Sequence, residues 1–246
     1  MSALLQASDL HIGFGGVQAA AGVHLDVQNG EHLAIIGPNG AGKTTFINIC
    51  TGYLKPQRGR VLFEGRDITA RPPRAITRLG IARAFQIPQL FSEHSVRDNL
   101  LLALAARQGI WQGWRPLQRI ENQHEADQLL TLFQLDDVAG QAIRELPEGL
   151  RKLIDIAMAL ALRPRLLLMD EPTSGVASSE KFAVMDTLMN ALRTREVTSV
   201  FVEHDMEVVT RYADRVAVWN SGVIQAEGPP AQILNDTDVL RDVIGV

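Results

Sequence analysis

One segment of the chain combines glycines, a lysine and a hydroxyl side chain directly after an apolar run at 33–36. It reads Gly37, Pro38, Asn39, Gly40, Ala41, Gly42, Lys43, Thr44. Glycines at this spacing let backbone N–H groups turn toward the phosphates of a nucleotide. We expect Lys43 to reach the terminal phosphates and the Thr44 hydroxyl to coordinate Mg²⁺. A helix that starts at Thr45 would point the positive end of its dipole at the anion.

Acidic and imidazole side chains follow two other apolar runs. The continuous run 166–169 predicts a strand buried on both faces, and it ends in Asp170 and Glu171. Ligands of open α/β sheets bind at the carboxyl ends of the strands. We expect Asp170 to hold Mg²⁺ through its water shell and Glu171 to activate the attacking water as general base. The run 199–202 leads to His204 in the same way, and its neutral imidazole would sense a γ-phosphate.

The elements that position these groups can be outlined from hydrophobic periodicity and turn residues. Short strands alternate with turns up to residue 36, and further strands are predicted at 60–64, 81–85, 216–219 and 223–226. Ser95 is a suitable N-cap for a helix over 96–107. Further helices are predicted at 117–133, 154–162, 229–234 and 238–244.

These elements predict an α/β fold with the core of a P-loop NTPase and an N-terminal antiparallel β-subdomain. The core would consist of residues 1–86 and 151–246. An α-helical insert would occupy about residues 87–150.

The composition limits the classes of protein to consider. A net charge of −4 gives no electrostatic basis for general nucleic-acid binding, so we expect no nucleic-acid partner. A single cysteine excludes an internal disulfide and fits a reducing compartment. No apolar run approaches the roughly 18 residues of a membrane span, and the N-terminus lacks a signal-peptide pattern. We therefore expect a cytosolic chain that works at a membrane only through integral partners.

These motifs, in this order, resemble those of the nucleotide-binding subunits of ABC transporters along essentially the whole chain. The resemblance implies an ABC ATPase fold, ATP and Mg²⁺ as cofactors, and ATP hydrolysis coupled to transport. It assigns Phe14 to stacking on adenine, and Gln86 to linking Mg²⁺ and the attacking water to the transmembrane partner. It also implies two integral-membrane permease subunits, a second ABC ATPase and, indirectly, a periplasmic solute-binding protein. The chain would then lie peripherally on the cytoplasmic face of the inner membrane.

Several segments resemble those of ATPases from importers of branched-chain amino acids and urea. They are Phe14-Gly15-Gly16, Asp67-Ile68-Thr69, the run from Gly80 to Gln86, and the tail from Glu227 to Leu240. The resemblance implies uptake of a small solute, such as a branched-chain or other amino acid or a related small polar or organic acid. It does not fix the solute.

One motif departs from the family pattern. Where the family's signature loop reads Leu-Ser-x-Gly-Gln, this chain has Leu146 followed by Pro147, Glu148, Gly149 and Leu150. In the family that serine donates a hydrogen bond to the γ-phosphate held by the opposite subunit of a dimer. Pro147 can donate nothing, and such a bond contributes about 1.5–3 kcal/mol. We expect an asymmetric dimer. A paralogue with an intact signature would complete one competent site, and the reciprocal site, which uses Pro147 to Leu150, would bind ATP but hydrolyse it poorly. The partner could also be a second copy of this chain. In the alternative, the loop's backbone N–H groups suffice and the site hydrolyses normally.

Other interpretations stay open at this stage. Trp111 and Trp114, with Arg107, Arg115 and Arg119, could face lipid headgroups or a permease loop, or belong to a solvated insert. The chain could also be a soluble ABC protein without a permease, although one phosphate loop and no heptad run argue against this. A small-molecule kinase would need a lid for which there is little room. A regulator without hydrolysis is disfavoured by the intact Glu171 and His204.

Overall fold

The computed structural model describes residues 3–108 and 120–237, together with Val239 and Arg241. The strands in these ranges are β1 (Leu5–Phe14), β2 (Val17–Val27), β3 (His32–Ile36), β4 (Arg58–Phe63), β5 (Arg66–Asp67), β6 (Ile81–Ala84), β7 (Leu166–Asp170), β8 (Thr198–Val202), β9 (Arg215–Asn220) and β10 (Val223–Gly228). The helices are α1 (Lys43–Cys50), α2 (Pro73–Leu79), α3 (Val96–Arg107), α4 (Ile120–Leu132), α5 (Glu148–Ala161), α6 (Lys181–Thr194), α7 (Met206–Tyr212) and α8 (Pro230–Ile233). Short 3₁₀ turns cover Asp136–Val138 and Ile143–Glu145.

The strands form two sheets. An antiparallel sheet has the order β2-β1-β4-β5, and a six-stranded sheet has the order β10-β9-β3-β8-β7-β6. Strands β9, β3, β8, β7 and β6 run parallel, and β10 pairs antiparallel with β9 at the edge. Every residue of β3, β7 and β8 is buried, as their continuous apolar runs predict. The structure thus has the predicted α/β fold with an N-terminal antiparallel sheet.

Two apolar cores lie on the two faces of the six-stranded sheet. Alternate side chains of β3 point to opposite faces, so Ala34 and Ile36 join one core while Leu33 and Ile35 join the other. The first core contains the apolar faces of α3, α4, α5 and α6. The second contains α1 and the antiparallel sheet. Helix α1, which follows the predicted phosphate-binding loop, is therefore held between the two sheets.

The helix α3 has the bounds and the N-cap that the sequence predicts. The Ser95 hydroxyl accepts a hydrogen bond from the backbone N–H of Asp98 at 3.1 Å, and the Asp98 carboxylate completes a capping box. Helix α4 lies within the predicted range 117–133, of which residues 117–119 fall outside the described residues. The predicted helix at 238–244 falls mostly outside them too. The division of the chain into core and insert stays a prediction.

The predicted start of the helix at residue 154 is wrong. Helix α5 begins at Glu148, with Pro147 as its N-cap in an extended conformation. The error has a physical reason: Gly149, Arg151 and Lys152 interrupt the apolar pattern before residue 154, but in the structure Lys152 is buried and Gly149 packs against Val176 and Val184. The absence of a side chain on Gly149 allows this close contact.

None of the helices in the described ranges has both the length and the apolar character needed to cross a bilayer.

Candidate functional site

The loop between β3 and α1 can be formed only by glycine at two of its positions. A methyl group on Gly37 would lie 1.9 Å from the carbonyl oxygen of Trp219, and one on Gly42 would lie 2.0 Å from that of Ala19. Gly42 is also the N-cap of α1, and its φ of 119° is a backbone conformation that residues with a side chain rarely adopt. The motif glycines therefore permit close backbone contacts as well as the turn.

Trp219, at the end of β9, braces this loop from behind. Its side chain is fully buried, and its Nε1 donates a hydrogen bond to the Ala19 carbonyl of β2 at 3.3 Å. Its ring lies 5.3 Å from that of Phe46 in α1. One side chain thus contacts the antiparallel sheet, the loop and the helix that follows the loop.

The predicted loop and the predicted acidic and imidazole groups meet in one small cavity of about 150 Å³. Its lining consists of Asn39, Gly40, Ala41, Gly42, Lys43, Thr44, Thr45, Glu171 and His204. They converge because β3, β8 and β7 are parallel neighbours whose carboxyl ends share one edge of the sheet. Phe14 lies instead at the end of β1, with its side chain half exposed.

Lys43 is a buried cation at the floor of this cavity. Its Nζ donates hydrogen bonds to the carbonyl oxygens of Gly37 at 2.7 Å and Pro38 at 2.9 Å. Burial lowers the pKa of the Lys43 ammonium, and the nearby carboxylates of Glu171 and Asp170 oppose that shift. The loop therefore holds a positive charge directly beside its backbone N–H groups, as recognition of a polyphosphate requires.

Thr44 and Asp170 supply oxygen atoms that fit a hard divalent cation. The Thr44 hydroxyl lies 3.3 Å from Asp170 Oδ1, to which it donates a hydrogen bond. Burial raises the pKa of Asp170, while the Thr44 hydrogen bond and the charge of Arg83 oppose the rise. The hydroxyl and the carboxylate are oxygen donors of the kind that Mg²⁺ prefers, and Gln86, the third residue predicted to contact the metal, hydrogen-bonds the neighbouring Glu171.

Glu171 is hydrogen-bonded by both of the side chains predicted to act with it. Gln86 Nε2 donates to Glu171 Oε2 at 2.8 Å, and His204 Nε2 lies 3.1 Å from Glu171 Oε1. Glu171 itself has a φ of 52°, a left-handed conformation that costs a non-glycine residue about 1–2 kcal/mol. Strained backbone of this kind is concentrated at functional sites. The geometry therefore brings Gln86, Glu171 and His204 into one group.

Glu203 ties the loop after β7 to the loop after β8. The Glu203 carboxylate accepts hydrogen bonds from the Thr173 backbone at 3.0 Å, the Thr173 hydroxyl at 2.7 Å and the His204 backbone at 3.1 Å. Burial raises the pKa of Glu203, and these hydrogen bonds oppose the rise. Glu171 and His204 are thereby held at a fixed separation.

Two charged residues of α5, Lys152 and Asp155, form hydrogen bonds to the backbone of the segment around Gln86. Neither residue is predicted from the sequence. Asp155 accepts hydrogen bonds from the backbone N–H of Phe85 at 3.0 Å and of Gln89 at 3.1 Å. Lys152 Nζ donates to the carbonyl oxygen of Gln86 and, at 3.2 Å, to that of Glu171. Their sequence signal is weak, because α5 also carries Glu148 and Arg151, and only the burial of Lys152 and Asp155 in the structure shows which charges need partners.

Arg83 is a third contributor that the sequence does not single out. Its guanidinium is largely buried: Nη2 lies 3.5 Å from Asp170 Oδ2, and Nη1 donates to Asn48 Oδ1 of α1 at 2.5 Å. The same group lies over the ring of Phe85 at 4.7 Å. Among the described residues its Nε has no hydrogen-bond partner. Arg83 therefore connects the aspartate of the candidate metal site to α1.

The divergent signature segment lies away from the cavity of its own chain. None of its residues, Pro147, Glu148, Gly149 and Leu150, is among the residues that line the cavity. Glu148 packs beside Gly175, where a methyl group would lie 3.3 Å from Glu148 Cγ, and its carboxylate lies 3.9 Å from Arg151 Nη1. The roles assigned to these four residues and to Phe14 stay predictions. Trp111, Trp114, Arg115 and Arg119 lie outside the described residues.

Comparisons with known proteins agree with this geometry. Residues 20–174, more than half of the chain, match a family model described as ABC transporter. The chain is 35% identical to a probable branched-chain amino acid transport ATP-binding protein, LivG, of Archaeoglobus fulgidus, over 98% of this chain and 95% of that protein. It is 34% identical to the high-affinity branched-chain amino acid transport ATP-binding protein LivG of Escherichia coli strain K12, over 98% of each.

Solved structures give the same result. The ADP conformation of MJ1267, an ATP-binding cassette of an ABC transporter, matches with a TM-score of 0.87 and 32% identity over 100% of both chains. A nucleotide-free ATP-binding cassette from an ABC transporter matches with a TM-score of 0.83 over 97% of both. The predicted family and fold are confirmed: the chain belongs to the ABC transporter family and is one of its ATP-binding cassette ATPases.

Proposed function

We propose that this chain is the ATP-hydrolysing subunit of an importer of branched-chain amino acids. The observation that carries the proposal is the convergence of Lys43, Thr44, Asp170, Glu171 and His204 at one edge of the sheet. The solute class rests on the relatives of nearly equal length whose names specify branched-chain amino acid transport.

Each group of residues in the site has a separate role in ATP hydrolysis. The backbone of the loop at 37–44 and the Lys43 ammonium hold the phosphates of ATP. Thr44, Asp170 and the Gln86 amide would hold Mg²⁺, which when bound offsets the phosphate charge. Glu171 accepts a proton from the attacking water. His204 holds the Glu171 carboxylate in position by a hydrogen bond, and the His204 imidazole also contacts the γ-phosphate.

An exposed apolar surface beside Gln86 supports a permease partner. The side chains of Tyr53, Ile87 and Phe91 are each more than half exposed, Ile87 at 74%. The Tyr53 ring lies 6.1 Å from that of Phe85, Ile87 directly follows Gln86, and exposed large apolar side chains of this kind are typical of interaction sites. We infer that two integral-membrane permease subunits dock there, one on each ATPase subunit. The chain then lies peripherally on the cytoplasmic face of the inner membrane, and a periplasmic protein delivers the solute.

Reconstitution tests the proposal. The chain would be placed in liposomes with the permease and ATPase subunits encoded beside it, and uptake of radiolabelled leucine would be measured with ATP inside the liposomes and the solute-binding protein outside them. Glu171→Gln removes the general base, so we expect ATP to bind with little change while hydrolysis and uptake fall at least about a hundredfold. ATP binding without any solute-stimulated hydrolysis in the native complex would contradict the importer function.

We further propose that the chain works in an asymmetric ATPase pair. The support is Pro147, which replaces a hydrogen-bond donor, together with the packing of Glu148 against Gly175 and Arg151. The site that uses this chain's Lys43 and the partner's signature loop would hydrolyse ATP, and the reciprocal site would mainly bind it. The catalytic glutamate of each ATPase subunit would be replaced in turn in the assembled pair. If Glu171→Gln leaves most of the turnover in place, the asymmetric arrangement is wrong.

A further inference from the structure

A second cavity lies at the opposite end of the parallel strands from Lys43. It opens where β6 and β7 begin, beside Gly80 and Arg165, and its volume is about 620 Å³. Sites for small molecules typically have volumes of about 300–1,000 Å³. Residues of α2, the end of α3 and the turn after α5 form its other walls. The proposed hydrolysis of ATP makes no use of this cavity.

Arginine side chains dominate the lining of this cavity. They are Arg74, Arg78, Arg107, Arg163 and Arg165. Within the part of the chain that the structure describes, the ion pairs of these arginines involve only two carboxylates. Glu125 pairs with Arg107 and Arg163, and Glu64 pairs with Arg165. The five guanidinium groups therefore keep an excess of positive charge.

One wall of the cavity is rigidly built. Arg107 donates to both carboxylate oxygens of Glu125 at 2.7 Å each and to the Ala161 carbonyl oxygen at 2.7 Å. Arg163 Nε donates to the same carboxylate at 3.1 Å. Hydrogen bonds from Arg107 and Arg163 lower the pKa of Glu125 to about 2, so the carboxylate stays ionised at any physiological pH. These arginines are fixed in place before any ligand arrives.

The opposite wall presents two arginines that lack such partners. Arg74 and Arg78 lie one turn apart on α2 and are exposed, and neither guanidinium group has a hydrogen bond or ion pair to any residue that the structure describes. Like charges at this spacing on a helix repel each other. An anion bound between them would remove that repulsion. Guanidinium groups bind phosphate through paired N–H···O bonds, which makes phosphate a suitable anion.

We propose that this cavity binds a phosphate-bearing anion between α2 and α3, with Arg74 and Arg78 as its capturing residues. The phosphate would belong to a soluble, nucleotide-sized molecule or to a lipid headgroup. The side chains of Leu79, Ala106 and Leu162 also line the cavity, and they would contact the part of the ligand that carries no charge.

Binding of two phosphate probes to the full chain tests this proposal. The first probe is inorganic tripolyphosphate, titrated calorimetrically with saturating Mg-ADP so that the loop at Lys43 is already filled. The second is a vesicle of phosphatidylglycerol and phosphatidylcholine, measured by co-sedimentation. The test variant is Arg74→Ala/Arg78→Ala. The control variant, Arg66→Ala/Arg195→Ala, makes the same change in net charge at exposed positions outside the cavity.

We expect tripolyphosphate to bind the native chain and the control equally, and to bind the test variant at least about tenfold more weakly. If only the vesicles show this pattern, the phosphate group is that of a lipid headgroup. The proposal is overturned if neither probe distinguishes the test variant from the control. Circular dichroism on both variants establishes that they are folded, which we expect because the substituted side chains are exposed.

Discussion

The buried carboxylate of Asp155 should make the stability of the protein depend on pH. Burial raises the pKa of Asp155 from 3.8 to about 6 in the folded chain, against the opposing hydrogen bonds from Gln89 and Phe85 and the charge of Lys152. The folded state therefore keeps a proton that the unfolded state releases. The resulting stabilisation is fully present below pH 3.8 and is lost as the pH rises through 6.

The size of the effect follows from the shift. Each pKa unit corresponds to about 1.4 kcal/mol. The free energy of unfolding should therefore fall by about 1 kcal/mol from about pH 5 to pH 7 because of this group alone. Asp155→Asn does not titrate, and its stability should change by about 1 kcal/mol less over that interval. Its absolute stability should fall, because the amide NH₂ cannot accept a hydrogen bond from a backbone N–H.

Urea unfolding followed by circular dichroism at both pH values measures this difference. Asp137→Asn, which removes an exposed carboxylate, serves as the control and should keep the pH dependence of the native chain. Other buried titratable groups are shared by all three proteins and cancel in the comparison. An Asp155→Asn variant with the same pH dependence as the native chain would refute the argument.

Three further predictions follow from contacts around the site. Gly42→Ala should destabilise the chain by at least about 2 kcal/mol in urea unfolding, because its methyl group meets a backbone oxygen. Gly40→Ala, whose methyl group meets no atom within 4 Å, should cost only about 1 kcal/mol, and equal costs would contradict this explanation. Arg83→Lys should raise the Mg²⁺ concentration needed for nucleotide binding about tenfold, because a lysine cannot contact Asp170 and the α1 asparagine together. Lys152→Met should lower kcat of ATP hydrolysis about tenfold with little change in nucleotide Kd, and an equal loss in both would show that the lysine merely stabilises the fold.

Local signals in the sequence predict those elements whose conformation depends on neighbouring residues. The capping residues at Ser95 define the start of α3, and the glycines at 37–42 define the phosphate loop. Burial of β3, β7 and β8 on both faces follows from their uninterrupted apolar runs. Because those strands are parallel, the convergence of their terminal side chains also could be predicted.

Long-range contacts could not be predicted in the same way. Nothing near Asp155 in the chain indicates that it bonds the backbone around Gln86, 66 to 70 residues away. The partners of Arg83 on α1 and β7 likewise depend on strand order, which pairing between distant segments determines. Helices α2, α6 and α7 have no prediction above, and a cap does not account for this, since Asp205 caps α7 with hydrogen bonds from the backbone of Glu207 and Val208 while α6 has no such bond.

The contacts of Trp219 with the loop make its intrinsic fluorescence a probe of nucleotide binding. The chain has only three tryptophans, so replacing Trp111 and Trp114 by phenylalanine would leave a single indole fluorophore. That indole is shielded from solvent, its Nε1 lies beside Gly42, and the backbone of the same residue lies beside Gly37. Its emission would therefore follow occupancy of the loop in real time, without any dye attached to the nucleotide.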